Sequence, residues 1–391
     1  MSRSVYIVGV ARTPIGSFNG LLSSQTAVQL GALAIRAAVE RSGVQPDQVD
    51  EVFMGNVVSA GVGQAPAQQA SLSAGIPNTV PCTTINKVCA SGMKAIMFGA
   101  QSISLGDNEI VVAGGMESMS NIPYYLDKAR NGYRLGHGQI IDGILRDGLW
   151  DPYNDYHMGN AGELCSTEYR ISREDQDNFA KESYLRAAKA YEQGLFNNEL
   201  VQVQIAGKVP VSVSEDEEFK KVNFEKMATL KPAFAKEGTI TAANASKIND
   251  GAAALVLVSE EKMNELNLKP IARIVSFADA SQSPEWFTTT PLKAMANALR
   301  KAGLQAGDMD FVEINEAFSC VTIVNAQEMA IPMDKVNVWG GAVALGHPIG
   351  CSGARITITL SSVLQHYNGR YGMAGICNGG GGASAVIIER A

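Results

Sequence analysis

Apolar and polar positions follow two similar series of strand and helix patterns, one towards each end of the chain. Short β-branched runs predict the strands, and apolar residues at three- and four-residue spacing predict the helices. Each series reads strand, helix, strand, over Ser4–Val10, Ala27–Arg41 and Glu51–Val57 in the first and over Pro270–Phe277, Pro291–Lys301 and Phe311–Ile314 in the second. The chain is therefore predicted to contain two copies of one α/β unit.

Each copy continues with a further helix whose first residues are alike. Cys89-Ala90-Ser91-Gly92-Met93-Lys94 corresponds to Gly350-Cys351-Ser352-Gly353-Ala354-Arg355, and the strands that follow, Glu109–Gly115 and Gly372–Gly379, both run into glycines. A chance similarity between two α/β segments is the alternative, and the shared order of five elements argues against it.

An insertion separates the last strand of the first copy from the rest of that copy. In the second copy Gly382–Ile388 follows at once, whereas its counterpart Gly251–Leu257 lies far beyond Gly115. We therefore predict an N-terminal half (residues 1–118 with 250–269), an inserted loop domain (119–249) and a C-terminal half (270–391). The fold class is α/β, with two duplicated halves whose mixed sheets pack face to face and bring their strand-to-helix turns together.

Composition narrows the class of function. A net charge of −7 argues against a nucleic-acid or anionic-membrane surface, and no run reaches the roughly 18 apolar residues of a membrane span. A strand begins at Ser4, so no targeting segment is expected and a cytoplasmic location is predicted. The six cysteines lack paired spacing and read as reduced thiols, and no Cys/His cluster suggests zinc.

Cys89 is the first candidate for chemistry, because it lies where a β-rich run ends and a helix begins. A helix N-terminus offers free N–H groups and partial positive charge, which favour thiolate over thiol. The alternative is a buried cysteine that serves as a small apolar side chain. The helix is predicted from apolar residues at Ala90, Met93, Ile96, Met97, Ala100 and Ile103.

Three later segments add polar and glycine-rich motifs. They are Asn315-Glu316-Ala317-Phe318, Gly340–Gly350 with His347 inside it, and Cys377-Asn378 followed by four glycines, Gly379–Gly382. A lone histidine is often structural, and a glycine quartet is often a flexible link. Here the quartet lies between two strands, where glycine lets backbone N–H groups approach a ligand.

Together these four motifs resemble those of the thiolase family, in the same order and across the whole chain. The resemblance implies the thiolase fold, with layers αβαβα and an inserted loop domain. It is closest to the acetoacetyl-CoA thiolases, which reversibly condense two acetyl-CoA into acetoacetyl-CoA and CoA and cleave short-chain 3-ketoacyl-CoA. Acetyl-CoA, acetoacetyl-CoA and CoA are then the expected partners, in a homotetramer built from dimers with residues 120–140 as a contact loop.

The resemblance implies a ping-pong mechanism with defined roles. Cys89 is the nucleophile that becomes acetylated, His347 takes its proton, and Cys377 is the acid/base at the methyl carbon. His347 with a water held by Asn315 forms one oxyanion hole, and the backbone N–H groups of Cys89 and Gly379 form the other. Glu316 is expected to orient the site.

The resemblance also implies the residues that bind substrate. The nucleotide end of CoA would meet the segment with Lys221, Val222, Asn223 and Lys226, although ordinary solvated charges remain an alternative for the lysines. Further CoA positions are Tyr184 and Ser246. The pantetheine and acyl pocket would be lined by Met158, Phe234 and Phe318.

The chain departs from the common pattern at two positions, of which the first changes local packing and the second points to a subgroup. Trp339 stands where many thiolases have Asn, and Phe287 opens a segment that is Met-Gly-Thr-Gly-Pro in many bacterial members. With an aromatic residue at this position the chain is similar to the mitochondrial-type enzymes, some of which accept an acyl chain with a 2-methyl branch. No cofactor is required, but members of that subgroup bind potassium, and the resemblance predicts such a site at Tyr184, Ala242, Ala243, Ala245 and Val343.

Other functions remain as alternatives. A ketoacyl synthase normally uses two histidines, and the Asn315 motif with Cys377 favours a thiolase. A broader-chain degradative thiolase of fatty acid β-oxidation differs in chain length, and an acyl-CoA-binding scaffold would not need the set of reactive side chains. A dehydrogenase is disfavoured because no Gly-x-Gly-x-x-Gly follows the first strand.

Overall fold

The computed structural model describes residues 3–391. Its strands are β1 (Val5–Arg12), β2 (Gly16–Ser17), β3 (Glu51–Gly55), β4 (Cys82–Ile85), β5 (Ile110–Ser118), β6 (Tyr124–Tyr125), β7 (Ile141–Asp142), β8 (Trp150–Asp151), β9 (Tyr156–His157), β10 (Val203–Ile205), β11 (Val211–Val213), β12 (Asn249–Ser259), β13 (Ala272–Ser281), β14 (Phe311–Ile314), β15 (Tyr371–Asn378) and β16 (Gly382–Arg390).

The α-helices are α1 (Ala27–Ser42), α2 (Pro66–Ala74), α3 (Ser91–Leu105), α4 (Met158–Glu168), α5 (Arg173–Glu192), α6 (Phe224–Met227), α7 (Glu260–Glu265), α8 (Thr290–Ala302), α9 (Ser319–Glu328), α10 (Ala342–Leu345) and α11 (Ser352–Tyr367). Short 3-10 turns lie at Pro46–Gln48, Met119–Asn121, Glu218–Lys220, Pro284–Thr289, Ala306–Asp308 and Met333–Lys335, with a π-helical turn at Ile144–Leu149.

The sheet order confirms the duplication. The N-terminal strands lie in the order β4–β3–β5–β12–β1, and the C-terminal strands in the order β14–β15–β16–β13, so equivalent strands occupy equivalent places. The sheet of each half is mixed. β3 pairs in parallel with β4 and with β5, and β14 pairs in parallel with β15. The other neighbours in these two orders pair antiparallel. The two halves also meet edge to edge, because β1 pairs with β13 from Val5–Ile274 to Ile7–Ala272.

Helices and sheets form the expected layers. One apolar cluster packs α1 and α2 on the outer face of the N-terminal sheet, and another packs α8 on the outer face of the C-terminal sheet. A third cluster places the two equivalent helices α3 and α11 between the sheets. The order is therefore αβαβα, as the thiolase-like α/β fold class predicts.

Glycine allows the two central helices to touch at their first turns. A Cβ on Gly92 would lie 2.9 Å from the carbonyl oxygen of Gly350, and a Cβ on Gly353 would lie 2.5 Å from the backbone N of Met93. Such distances exclude any larger residue without movement of the backbone. The close approach brings the turn before α3 next to the turn before α11, and these turns carry Cys89 and His347.

The region between β5 and β12 holds helices and short hairpins that extend neither sheet. Helix α5 begins at Arg173, where Ser172 and Asp175 form a capping box at its first turn. The division of the chain at residues 119, 249 and 270 stays a prediction. Within residues 3–391, no helix combines the length and apolar character needed to cross a membrane.

Candidate active site

Cys89 lies on a strained turn between β4 and α3. Val88, a β-branched residue, has a φ of +48°, a conformation that costs energy and needs support from its surroundings. Ser91 gives that support, since its hydroxyl accepts from the N–H of Lys87 at 2.8 Å and donates to the carbonyl of Val88 at 2.6 Å. The turn leaves the Cys89 side chain partly exposed in front of the helix.

The thiol of Cys89 is not stabilised as a thiolate in this structure. Burial raises its pKa to about 12, the charge of Glu117 adds to the effect, and hydrogen bonds from the backbone of Gly379 and of Cys89 itself oppose it. The backbone N–H groups therefore act in the direction predicted for the helix N-terminus, but loss of water outweighs them. Cys89 needs a base to become a nucleophile.

Gly379 and Cys377 are the residues of the C-terminal half that lie close to Cys89. The Gly379 N–H contacts the Cys89 sulfur, and a Cβ on Gly379 would lie 3.5 Å from Val88 and 3.7 Å from Met158. Cys377 is 1 % exposed, and its pKa lies well above the ordinary value because of burial and of the nearby Cys89. The two predicted reactive cysteines therefore lie close enough for the charge of Cys89 to raise the pKa of Cys377.

Two hydrogen bonds fix the position and ring orientation of His347. Its backbone N–H donates to Asn249 Oδ1 at 2.8 Å, and its Nδ1 lies 2.6 Å from Ser352 Oγ. The single hydroxyl proton of Ser352 is donated to the carbonyl of Pro348 at 2.9 Å, so the hydroxyl oxygen accepts a hydrogen bond from the N–H at Nδ1. Nε2 then carries a free lone pair, and this atom is buried with no hydrogen-bond partner in the described part of the chain, residues 3–391.

The electrostatic environment keeps His347 neutral. Burial lowers its pKa to about 3, and the positive charge of Arg355 acts in the same direction. Together the two pKa shifts favour a neutral imidazole at His347 and a neutral thiol at Cys89 in the resting protein.

Asn315 offers a side-chain amide that the protein itself does not use. Its backbone N–H donates to the carbonyl of Gly375 at 3.0 Å, which fixes the residue at the end of β14. Its Oδ1 and Nδ2 are both buried, and no protein group within residues 3–391 bonds to them. A buried amide with free donor and acceptor is suited to holding a water or substrate oxygen.

Glu316 differs from its neighbour because its carboxylate is fully bonded. It accepts from Ser183 Oγ at 2.9 Å, from Asn337 Nδ2 at 2.8 Å and from the N–H of Val343 at 2.9 Å. These contacts tie the Asn315 turn to α5 and to the segment before His347. The geometry agrees with the predicted orienting role.

Aromatic and sulfur-containing side chains line one apolar cluster around Cys377. The cluster contains the three predicted pocket residues Met158, Phe234 and Phe318, together with Phe287. Phe234 stacks on His157 with ring centroids 4.7 Å apart and meets Phe318 edge-on at 5.9 Å. The structure therefore brings the predicted acyl pocket to Cys377, the predicted acid/base.

The predicted CoA residues fall into two places. Tyr184 is buried, and its hydroxyl donates to the carbonyl of Ala243 at 3.4 Å, while Ser246 Oγ donates to the carbonyl of Ala317 at 2.9 Å. The others lie on a surface segment in which Asn223 caps α6, Lys221 contacts Ser17, Val222 packs beside Tyr184, and Lys226 is exposed.

The potassium prediction meets a competing cation from the chain itself. Lys247 Nζ donates to the carbonyl of Ala245 at 2.6 Å and to that of Val343 at 3.3 Å, two of the predicted potassium ligands. It also lies 5.7 Å from the centre of the Tyr184 ring. Burial lowers the Lys247 pKa to about 8, against the charges of Glu218 and Glu316. This donor set does not fit a potassium ion.

Several residues of the site were not predicted from the sequence. Glu117 could have been noticed as an acid at the end of an apolar strand, and its carboxylate accepts from the backbone N–H groups of Val57, Val58 and Gly350. Asn249, Ser352 and Lys247 gave no comparable signal, because only the fold brings them to their partners.

Known proteins place this geometry in one class of acyl-transferring enzymes. The family model described as "Thiolase, N-terminal domain" matches residues 5–261, and "Thiolase, C-terminal domain" matches residues 268–390. The chain belongs to the thiolase family.

Relatives narrow the comparison within that family. The cytosolic acetyl-CoA acetyltransferase ERG10 of Gibberella zeae is 56% identical over 388 residues, 98% of each chain, and acetyl-CoA acetyltransferase 1 of Arabidopsis thaliana is 55% identical, over 99% of this chain and 94% of that one. The crystal structure of the Acat5 thiolase from Ascaris suum in complex with coenzyme A superposes with a TM-score of 0.95, at 46% identity over the full length of both chains.

Proposed function

We propose that this protein is an acetyl-CoA C-acetyltransferase, which condenses two acetyl-CoA into acetoacetyl-CoA and CoA and runs the reverse thiolysis. One observation carries the proposal. The sulfur of Cys89 accepts a hydrogen bond from the N–H of Gly379, and Cys89 lies close enough to Cys377 for its charge to raise the pKa of that thiol. The full-length relatives with the name acetyl-CoA acetyltransferase support the choice of substrate.

In the first half-reaction the acetyl group moves to Cys89. His347 Nε2 takes the thiol proton as the sulfur attacks the thioester carbonyl, and the backbone N–H groups of Cys89 and Gly379 hold the oxyanion. The carbon–sulfur bond to CoA breaks, and the departing CoA sulfur takes the proton of Cys377. The products are acetyl-Cys89, a protonated His347 and the thiolate of Cys377.

In the second half-reaction a carbon–carbon bond forms. The Cys377 thiolate removes a methyl proton from the second acetyl-CoA, and its raised pKa makes it a strong base for this weak carbon acid. Protonated His347 and a water on Asn315 hold the enolate oxygen. The methyl carbon attacks acetyl-Cys89, and the released Cys89 sulfur regains its proton from His347, which restores the starting state.

Buried Phe287 supports a preference for short acyl chains, because it fills part of the cluster around Cys377. The test compares thiolysis of acetoacetyl-CoA, 2-methylacetoacetyl-CoA and a long-chain 3-ketoacyl-CoA at saturating CoA. We expect kcat/KM to be highest for acetoacetyl-CoA. Equal or higher values for the long chain would favour the alternative, a degradative 3-ketoacyl-CoA thiolase.

Assembly as a homotetramer is part of the proposal. Apolar side chains of the loop at 120–140 lie in solvent in the single chain, with Leu135 fully exposed and Ile140 70% exposed. Exposed apolar groups of this kind mark protein interfaces. Light scattering on Leu135→Asp with Ile140→Asp should show a smaller particle than the native protein, and an unchanged mass would contradict this contact. A cytoplasmic location and a role in lipid metabolism belong to the same proposal.

A further inference from the structure

Lys247 lies where three parts of the site meet. It follows Ser246 on the segment that leads into β12, and its ammonium bonds to the carbonyl oxygens of Ala245 and Val343. The face of the Tyr184 ring, on α5, covers it at 5.7 Å. An ammonium with two carbonyl oxygens and an aromatic face has the contacts that a bound cation would have.

These contacts connect substrate-binding and catalytic segments. Val343 is bonded to Glu316 through its N–H and lies four residues before His347 in the chain. Ser246, on the other side, is bonded to the carbonyl of Ala317. Lys247 therefore joins the segment with the predicted CoA contact to the segment that leads to the base.

We propose that the Lys247 ammonium is a built-in monovalent cation, which holds the Ala245–Ser246 segment against α10 in place of a potassium ion. Lys247 is a positioning residue, since it acts on substrate through its neighbours. The inference rests on the proposed function for its kinetic readout only. It is independent of that function where cation binding and CoA binding are measured directly.

The native protein provides the first test. Its melting temperature and its KM for acetoacetyl-CoA are measured in potassium, sodium and tetramethylammonium chloride at equal ionic strength. We expect the same values in all three salts, because the carbonyl oxygens already hold an ammonium. A higher melting temperature or lower KM in potassium alone would overturn the proposal, and this test needs no variant to fold.

Removal of the side chain provides the second test. Lys247→Ala opens space beside the carbonyls and should raise KM about tenfold, equivalent to about 1.4 kcal/mol, with a smaller change in kcat. Potassium or ammonium ions should lower KM again and raise the melting temperature of this variant. Lys247→Met, which fills the space without charge, should lose affinity without rescue.

The control is Lys269→Ala, which removes an exposed lysine from the connection between β12 and β13 and should behave as the native protein does. An unchanged KM in Lys247→Ala, or a loss that no monovalent cation restores, would overturn the proposal. Titration of CoA by calorimetry repeats the comparison without turnover. If native protein lacked thiolase activity but showed the expected cation and CoA responses, only the proposed function would fail.

Discussion

Lys87 and Asp279 join the nucleophile turn of one half to the sheet of the other, with Nζ 2.6 Å from Oδ1. Lys94, on α3, reaches the second oxygen of the same carboxylate at 2.7 Å. Burial alone would raise the Asp279 pKa, but the hydrogen bonds from Lys87, Lys94 and Ser384 outweigh it and lower the value to about 2. A residue beside Cys89 is thus held by a group almost two hundred positions away.

Asp279→Asn should loosen this connection. The carboxylate is partly exposed, so the loss of stability should be modest, about 1 kcal/mol in urea unfolding. Because its folded pKa is lowered, the stabilisation is present above the unfolded value near 4 and is lost as pH falls towards 2. The variant should also be acetylated more slowly. Asp107→Asn, at an exposed site, serves as the control, and equal acetylation rates for both variants would contradict the prediction.

Asn315 should matter for rate and little for stability. Asn315→Ala removes an amide that bonds to no group of residues 3–391, so kcat should fall about 100-fold while the melting temperature changes little. Asn325 is the matched control, because its amide donates to Thr288 and Val321 at 2.8 and 2.7 Å. Asn325→Ala should lower the free energy of unfolding by about 2 kcal/mol. A large loss of stability with little loss of kcat in Asn315→Ala would contradict a place for Asn315 in the oxyanion hole.

Alkylation of Cys89 reports its pKa. With a value near 12, the rate with iodoacetamide should rise about tenfold per pH unit between roughly pH 6 and 10 and reach no plateau. Peptide mass spectrometry follows Cys89 alone, with Cys82 as an internal reference. A plateau below about pH 8 would mean that the thiolate predominates and that the helix N-terminus outweighs burial in setting the pKa.

Cys377→Ser separates the two half-reactions. The variant keeps a small side chain beside Cys89, and the departing CoA thiolate can take its proton from water in place of Cys377, so the acetyl-enzyme should still form, although more slowly. A hydroxyl is a far weaker acid than a thiol and should not supply the base for the methyl proton, so condensation should fall at least about 100-fold. Stopped acetylation and coupled condensation assays measure the two steps, and condensation at a near-native rate would assign the proton transfer elsewhere.

Much of the fold follows from local patterns. The strand at Phe311–Ile314 and the helix that starts at Ala27 match their predictions, because each follows from the apolar pattern of adjacent residues. The duplication also follows from the sequence, since both copies keep the same order of elements. The pairing of β1 with β13 could not be predicted, because it joins strands whose patterns are satisfied equally well without it.

The candidate site, like the fold, could be predicted from the sequence only in part. Its motif residues are recognisable by type, but their protonation depends on how much water the fold removes. The helix beginning at Ser91 suggests a thiolate at Cys89, and only the packing around the turn reveals a thiol that needs His347. Lys247 carries no motif, and its role depends on carbonyl oxygens from two segments. Long-range burial and backbone contacts are what the linear pattern leaves out.

The acetyl-enzyme tests the central claim most directly. The protein is mixed with less than one equivalent of acetyl-CoA, so that little remains to act as the second substrate, then quenched in acid and digested for mass spectrometry. We predict one acetyl group on the peptide that contains Cys89, and none in Cys89→Ala, while Cys82→Ala retains it. An acetyl group that persists in Cys89→Ala, or that resides on another cysteine of the native protein, would contradict the account.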